Sequence, residues 1–374
     1  MLRVSLYDPA ASSGPIQKAL IFPRTVPSAG VTWATVIFFC RPMRVLAGMG
    51  QEDSAMLMRY AATRLMQLIP MALVVTMVVF FVMMIVPGDP VMVMLGAVDG
   101  AQVSREVYDA MRLRLGLDQP LIIQYLNWLS NLLQGDLGTS ITHRTSVLEV
   151  ILLRLVPTMY LMVGGLIVAV IIAVPAGVLA AIHNNTKWDH LATAFVVAGI
   201  SVPTFWLALV VILIFAVYLG WLPSIGYTRP QEDFVDFLKH IALPMSVVAL
   251  NIAATVLRFQ RQDFLEQMQQ DYVRTARAKG LSERLVLWKH VLRNSLMTTF
   301  TVVGLQMAYL SGLITIVESV FNYPGIGYLL LNSIRTRDFV VVQGVVLFMV
   351  FLVIVVNLMV DMLYTVLDPR IRYR

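Results

Sequence analysis

The stretch LVPTMYLMVGGLIVAVIIAVPAGVLAAI, Leu155–Ile182, carries no charged side chain from end to end. A helix rising 1.5 Å per residue needs about 20 apolar residues to cross roughly 30 Å of hydrocarbon. This stretch exceeds that length, and five further runs follow the same pattern: Leu65–Val86, Leu191–Leu219, Ile241–Leu257, Met297–Phe321 and Val340–Leu367. The expected architecture is an all-α integral membrane protein with six transmembrane helices. The Ile241–Leu257 run is short and is interrupted by Pro244 and Asn251. Such a helix is tolerated where protein or a water-filled cavity, not lipid, surrounds it. Pro175, Pro203 and Pro244 are expected to kink their helices.

Composition agrees with this reading. Hydrophobic residues make up 58% of the 374 and charged residues 13%, against about 25% charged in a soluble domain. Such a chain has too few polar groups to cover its apolar surface in water. The net charge is +6, from 28 basic and 22 acidic residues. The basic residues cluster beside the apolar runs, which is the positive-inside bias of membrane proteins and not a nucleic-acid surface. One cysteine, Cys40, excludes an intrachain disulfide framework and a zinc site built on cysteine pairs. His143, His183, His190, His240 and His290 lie far apart without metal-ligand spacing, and the 22 methionines read as packing. No nucleophile–base set and no Gly-x-x-x-x-Gly-Lys-[Ser/Thr] phosphate loop is found, so neither catalysis nor ATP binding is expected of this chain.

Lysine and arginine set the orientation. With the segment before the first span on the inside, 183–190, 258–296 and 368–374 are cytoplasmic too. The 258–296 segment holds Arg258, Arg261, Arg274, Arg277, Lys279, Arg284, Lys289 and Arg293, and the tail adds Arg370, Arg372 and Arg374. The opposite side is poorer in basic residues for its length. Both termini are therefore expected in the cytoplasm.

The first outer loop, 88–150, is long enough to fold. Ser104 is placed to cap a helix ending near Gly116. Asp118 and Pro120 open a second one, whose Ile122, Tyr125, Leu126, Leu129 and Leu133 recur at helical spacing before Gly135. A small extracytoplasmic helical cap over the pore mouth is expected. Residues 1–55 read as a disordered extension rich in Ser, Gly and Pro, with the functional chain beginning at Met56 or Met58. The apolar piece Val31–Cys40 is too short to span, and an interfacial anchor is the alternative.

Within the long basic segment, Tyr272, Ala276 and Gly280 lie four apart and are expected to share a helical face of little bulk. A partner's backbone can approach such a face, with Arg274, Arg277 and Lys279 available for its acidic groups. Leu281, Leu285, Trp288 and Leu292 then form an apolar stripe opposite Arg284, Lys289 and Arg293, along the membrane surface or leading into the fifth span. An ordinary basic amphipathic loop against lipid headgroups fits the same residues. At membrane depth, Glu318 either lines the outer pore or is a hydrogen-bonded residue holding the Val317–Gly327 turn, the second being the commoner use beside Pro324 and Gly325. Asp361 reads as a solvated helix end or a partner for Arg370. Gln306, Ser311, Asn251 and Asn357 either bond between helices or face the pore.

The segment from Asp271 resembles the EAA loop of ABC importer permeases. Ala276 and Gly280 match its second alanine and its glycine, and Leu292 matches its leucine. Arg274 stands where the glutamate belongs, Thr275 replaces the first alanine and Arg293 the proline. The form Tyr272-Val-Arg-Thr-Ala-Arg-Ala-Lys-Gly-Leu281 is similar to that of the dipeptide/oligopeptide/nickel permease family. So are Arg64-Leu-Met-Gln-Leu-Ile-Pro70, Pro87-Gly-Asp-Pro90, Leu115-Gly-Leu-Asp-Gln-Pro120 and Gly135-Asp-Leu-Gly-Thr-Ser140. Near the other end the same holds for Val317-Glu-Ser-Val-Phe-Asn-Tyr-Pro-Gly-Ile-Gly327, Arg337-Asp338, Val342-Gln-Gly344 and Leu367-Asp-Pro-Arg-Ile-Arg372. This ordered set covers residues 56–374 and is closest to the dipeptide permease B type.

The resemblance implies the type I ABC importer permease fold and a bacterial inner-membrane subunit that forms the pathway for dipeptides or oligopeptides. Nickel, glutathione and haem are alternative cargoes. It implies a second, homologous permease (a heterodimer), two cytoplasmic ATPase subunits that bind ATP and Mg, and an extracytoplasmic peptide-binding protein. Tyr272, Arg274, Thr275, Ala276, Arg277, Ala278, Lys279, Gly280, Leu281 and Glu283 would form the coupling segment docking on an ATPase. The rival of a different class, an ion-coupled secondary transporter, calls for inverted repeats and midspan acids, and neither stands out here. An intramembrane enzyme calls for a reactive set at membrane depth, which is also absent from the sequence.

Overall fold

The computed structural model describes residues 51–85, 91–92, 104–114 and 116–367, with side chains from residue 66 onward apart from 308 and 361–367. Expectations resting on residues 1–50, on Pro87–Pro90, on the Asp361 side chain and on the tail beyond Leu367 lie outside these. Among the described residues, regular structure is helical, with one isolated bridge between Thr139 and Ser146. The helices are α1 Gln51–Ile85, α2 Arg105–Arg114, α3 Leu121–Leu133, α4 Val147–Ile182, α5 Lys187–Ser201 and α6 Thr204–Val211, which widens into a π turn over Ile212–Tyr218. Then come α7 Phe234–Met268, α8 Asp271–Ala278, α9 Leu292–Val320, α10 Ile326–Arg335 and α11 Phe339–Leu367. A short helical turn, Glu283–Leu285, and a π stretch, Val286–Val291, lead into α9.

Among the described residues, four helices are long and apolar enough to cross a bilayer, or up to six if each of two bent pairs counts as one span. The third expected span is not a single rod. Its chain breaks between Ser201 and Thr204 and turns by 110°, because Pro203 cannot continue the ladder and holds Val202 extended (ψ 124°). The fifth bends by 55° between Met307 and Tyr309.

The fourth span departs from expectation in the opposite sense. It is a continuous helix of 35 residues that runs through Pro244 and Asn251. Asp233 starts it, its Oδ1 accepting the amides of Val235 (2.9 Å) and Asp236 (3.0 Å). Pro244 is buried among neighbouring helices, with Ile241, Leu243, Val247 and Val248 around it. The helix also absorbs Arg258 and Arg261, expected in the cytoplasmic loop, into its last turns.

Helix α7 is the axis of the molecule: 61% of its apolar window is buried, against 17% for α1. Glycines let its neighbours reach it. A Cβ on Gly165 of α4 would stand 2.6 Å from Val248, and one on Gly177 3.0 Å from Gln260. On the α5 side, a Cβ on Gly199 would stand 2.5 Å from that of Ala254. These small-residue approaches are how membrane helices pack closely without a hydrophobic drive between them. The order of the contacts, 165 to 248 and then 177 to 260, shows that α4 and α7 run in the same direction. The main core forms here, around Leu161, Val247, Ile252, Val256, Leu310 and Val317.

Both expected loop helices are present. Ser104 O receives the amides of Val107 and Tyr108, Gly116 follows α2 at φ +67°, and Gly135 follows α3 at φ +82°. Helix α3 packs Tyr125 edge-on and Trp128 at a tilt against Phe80 of α1, and the Tyr125 hydroxyl meets that of Thr76 at 3.1 Å.

Candidate functional site

Helix α8 lies between the end of α7 and the lead-in to α9. Its buried side is Val273 and Ala276, which join Val178 and Ala181 of α4, Phe264 of α7, and Val286 and Val291. Arg274, Thr275, Arg277, Ala278 and Lys279 point outward. Half-buried Tyr272 donates its hydroxyl to Gln267 Oε1 at 2.9 Å.

Two features correct the expected docking face. Ala276 is turned into the chain's own core, and Gly280 is not on the helix. Lys279 caps α8 and Gly280 follows at φ +75°, its amide bonded to Arg277 O (2.9 Å) while Leu281 N reaches Ala276 O (3.4 Å). That pairing is a Schellman end, which only glycine enters without strain. Arg274, Thr275, Arg277 and Ala278 of the helix are therefore exposed, while Ala276 is buried, Tyr272 half-buried and Gly280 exposed beyond the helix end. Arg277 makes a two-pronged contact with Glu283 (3.1 and 2.6 Å), tying the helix end to the next turn. That carboxylate raises the guanidinium pKa further from its ordinary value. Leu285 and Trp288, expected to lie on a membrane-facing stripe, are exposed, whereas Leu281 and Leu292 are partly covered.

At the other end of the bundle, Glu318 of α9 is fully buried. It accepts from the Thr158 hydroxyl of α4 at 2.6 Å, and from the amides of Gly327 (2.8 Å) and Tyr328 (3.1 Å). Thr158 in turn receives the Ile326 amide at 2.9 Å. The first turn of α10 thus has its free N–H groups satisfied by side chains from two other helices. Gly325 has no room for a side chain, since a Cβ there would collide with the Glu318 carboxyl group. Of the two sequence readings of Glu318, the turn-holding one matches this geometry. Helix α10 itself was not expected from the sequence.

A second clasp joins the loop between α3 and α4 to α11. Asp338, also buried, accepts from the Ser140 hydroxyl (2.7 Å), Thr142 N (3.0 Å) and Val341 N (3.3 Å). Beside it, a Cβ on Gly138 would stand 2.8 Å from Val340, and one on Gly344 2.6 Å from Val147. The residues Gly138, Ser140, Asp338 and Gly344, noticed separately along the sequence, are neighbours in one contact.

The remaining polar residues sort by partner. Asn251 reaches Thr204 Oγ1 at 3.5 Å between α7 and α6. Gln306 and Ser311 are half-buried on α9, and no side-chain hydrogen bond joins either to Glu318 among the described residues. Two networks escaped the sequence reading. Gln260 donates to Ser295 (2.9 Å) and accepts from Thr299, all three buried between α7 and α9. Arg261 grips Asp189 through both carboxylate oxygens (2.5 and 2.8 Å) and reaches Asn184 at 3.1 Å, fastening the α4–α5 turn to α7. Their sequence separations leave no local signal. Among the described residues no group of three or more His, Cys, Asp or Glu is placed to hold a metal ion.

Comparison with known proteins covers most of the chain. The family model described as binding-protein-dependent transport system inner membrane component matches residues 173–373, and the model of the amino-terminal part of such components matches 56–162. A protein of Brucella suis biovar 1, provisionally named a peptide permease, is 40% identical over 319 residues, which is 84% of this chain and 99% of that protein. The glutathione transport system permease protein of Escherichia coli K12 is 40% identical over 318 residues, 85% of this chain and 100% of that protein.

Proposed function

The chain belongs to the family of binding-protein-dependent transport system inner membrane components, the permease subunits of ABC importers, and from that premise we propose that its cargo is small peptides. One relative is named a peptide permease and another a glutathione permease, and glutathione is itself a peptide. As a member of an importer family it works with ATPase subunits and a binding protein. In the proposed arrangement the second permease is a distinct homologous chain, ATP and Mg²⁺ sit in two ATPases, and both termini face the cytoplasm.

The observation that carries the coupling role is the two-sided character of α8. Its inward residues Val273 and Ala276 are buried against the inner ends of α4, α7 and the lead-in to α9, while Arg274, Thr275 and Ala278 are exposed, Arg274 holding only a solvent-facing contact with Asp271 at 3.4 Å. A displacement of α8 by an ATPase is thereby passed to three helices as a rigid-body motion.

The test uses the assembled complex with Ala278→Trp and Arg274→Glu, both exposed positions that leave the core intact. ATPase retention and peptide-stimulated ATP hydrolysis are expected to fall by about tenfold, equivalent to about 1.4 kcal/mol of lost docking. Gly280→Arg is less informative, because at φ +75° it would distort the helix end itself. Full retention and full stimulation in both variants would sink the assignment.

A further inference from the structure

We propose that the groove between α5 and the inner half of α7 is a binding site for one anionic phospholipid. The groove has a volume of about 490 Å³. Buried Val196 and Leu257 form its floor, and exposed Val197 and Ile200 its rim. Arg258 and Gln262 stand at one end, next to Arg261. From Thr193 to Ser201 the wall rises roughly 12 Å along α5 at 1.5 Å per residue. The site is thus elongated, with an aliphatic middle of Val196, Val197, Ile200 and Leu257 and a cationic mouth.

The charge at the mouth is uncompensated. Arg261 is already committed to Asp189 through two hydrogen bonds. Arg258 pairs with no carboxylate among the described residues, its guanidinium lying 5.0 Å from the centre of the Phe259 ring. An occupant must therefore bring a negative group to Arg258 and an apolar tail to Val197 and Ile200. A peptide fits less well, because Thr193, Ser201 and Gln262 are the uncharged polar side chains on a wall otherwise formed by Val196, Val197, Ile200 and Leu257, too few for its run of backbone amides. A phospholipid with an anionic head matches both ends.

The surroundings agree. Trp188, 68% exposed, begins the same helix, and tryptophan is favoured where headgroups meet acyl chains. Basic pockets between helices at the cytoplasmic face suit anionic headgroups. Placing the mouth in the cytoplasmic leaflet rests on the orientation proposed above. Binding itself does not, since a nanodisc offers the same lipids on both faces.

The experiment places the complete transporter in nanodiscs of phosphatidylethanolamine with phosphatidylglycerol, then counts the lipids kept after mild detergent release by native mass spectrometry. Wild type and Arg293→Gln, a control that removes an exposed cation elsewhere, should each keep one phosphatidylglycerol per copy of this chain. Arg258→Gln should lower that retention by about fivefold. Val197→Trp, which fills the groove from an exposed position, should abolish it. The proposal is overturned if wild type shows no preference for phosphatidylglycerol, or if Arg293→Gln loses as much as Arg258→Gln, which would mean general surface charge. It is equally overturned if a photocrosslinker at Val197 captures the second permease, which would make the groove a subunit contact.

Discussion

Removing the Glu318 side chain tests whether this residue is a clamp or a pathway carboxylate. In Glu318→Ala the amides of Gly327 and Tyr328 and the hydroxyl of Thr158 lose their acceptor in a fully buried place. Each buried donor left unpaired costs about 1–3 kcal/mol. Thr158 still reaches Arg154 O at 3.2 Å, so two orphaned amides dominate and the loss is about 3–5 kcal/mol. In a chain of 374 residues that corresponds to a fall in Tm of about 4–6 °C. Glu318→Gln behaves differently. Its amide oxygen can replace the Oε2 atom that serves both amides, and its NH₂ can donate to Thr158, so about 1 kcal/mol or less is expected. The assay is thermal unfolding of the purified complex, with peptide uptake into proteoliposomes measured beside it. An unchanged Tm for Glu318→Ala would refute the clamp. So would a Glu318→Gln variant that folds as well as wild type yet transports nothing, because the charge would then be acting on cargo.

Gly325→Ala should be at least as harmful as Glu318→Ala, since the new methyl group collides with the clamped carboxyl group; a functional, fully stable variant would contradict the packing. Asp338→Ala removes the acceptor of Ser140, Thr142 and Val341, and should cost about 2 kcal/mol, read as faster hydrogen exchange at Thr142 and Val341. Asp189→Asn should destabilise by about 2 kcal/mol, less than a fully buried pair because Arg261 is partly open to solvent. In the charge-swapped double variant Asp189→Arg, Arg261→Asp, part of the loss should return, a coupling that a double-mutant cycle reports directly.

The membrane spans were legible because the bilayer demands length and apolarity, which a sequence displays without knowledge of the fold. Where tertiary packing overrides a local signal, the reading failed. Pro203 breaks its helix, whereas Pro70, Pro175 and Pro244, with the same ring, sit inside continuous ones, so a proline by itself does not say where a helix ends. Helix α8 was placed correctly, but its faces were not. Spacing alone puts Gly280 in line with Ala276, while the left-handed backbone that ends the helix takes it off that line. The role of Glu318 was suggested by the Pro324–Gly325 pair just beyond it. Its partner Thr158 lies 160 residues away, and no pattern in either segment names the other. The same distance in sequence hid the Gln260–Ser295–Thr299 and Asp189–Arg261 contacts.

Those long separations have a consequence for how the protein is made. Thr158 waits for Glu318 and Ile326, and Ser140 and Thr142 wait for Asp338, 196 to 198 residues later in the chain. Contacts of such separation cannot form while the ribosome is still working through the first five spans. A nascent chain stalled near residue 310 has α4 complete but both fastenings open. Translation of the stretch from Glu318 to Asp338 is therefore also the step that supplies the partners for both fastenings.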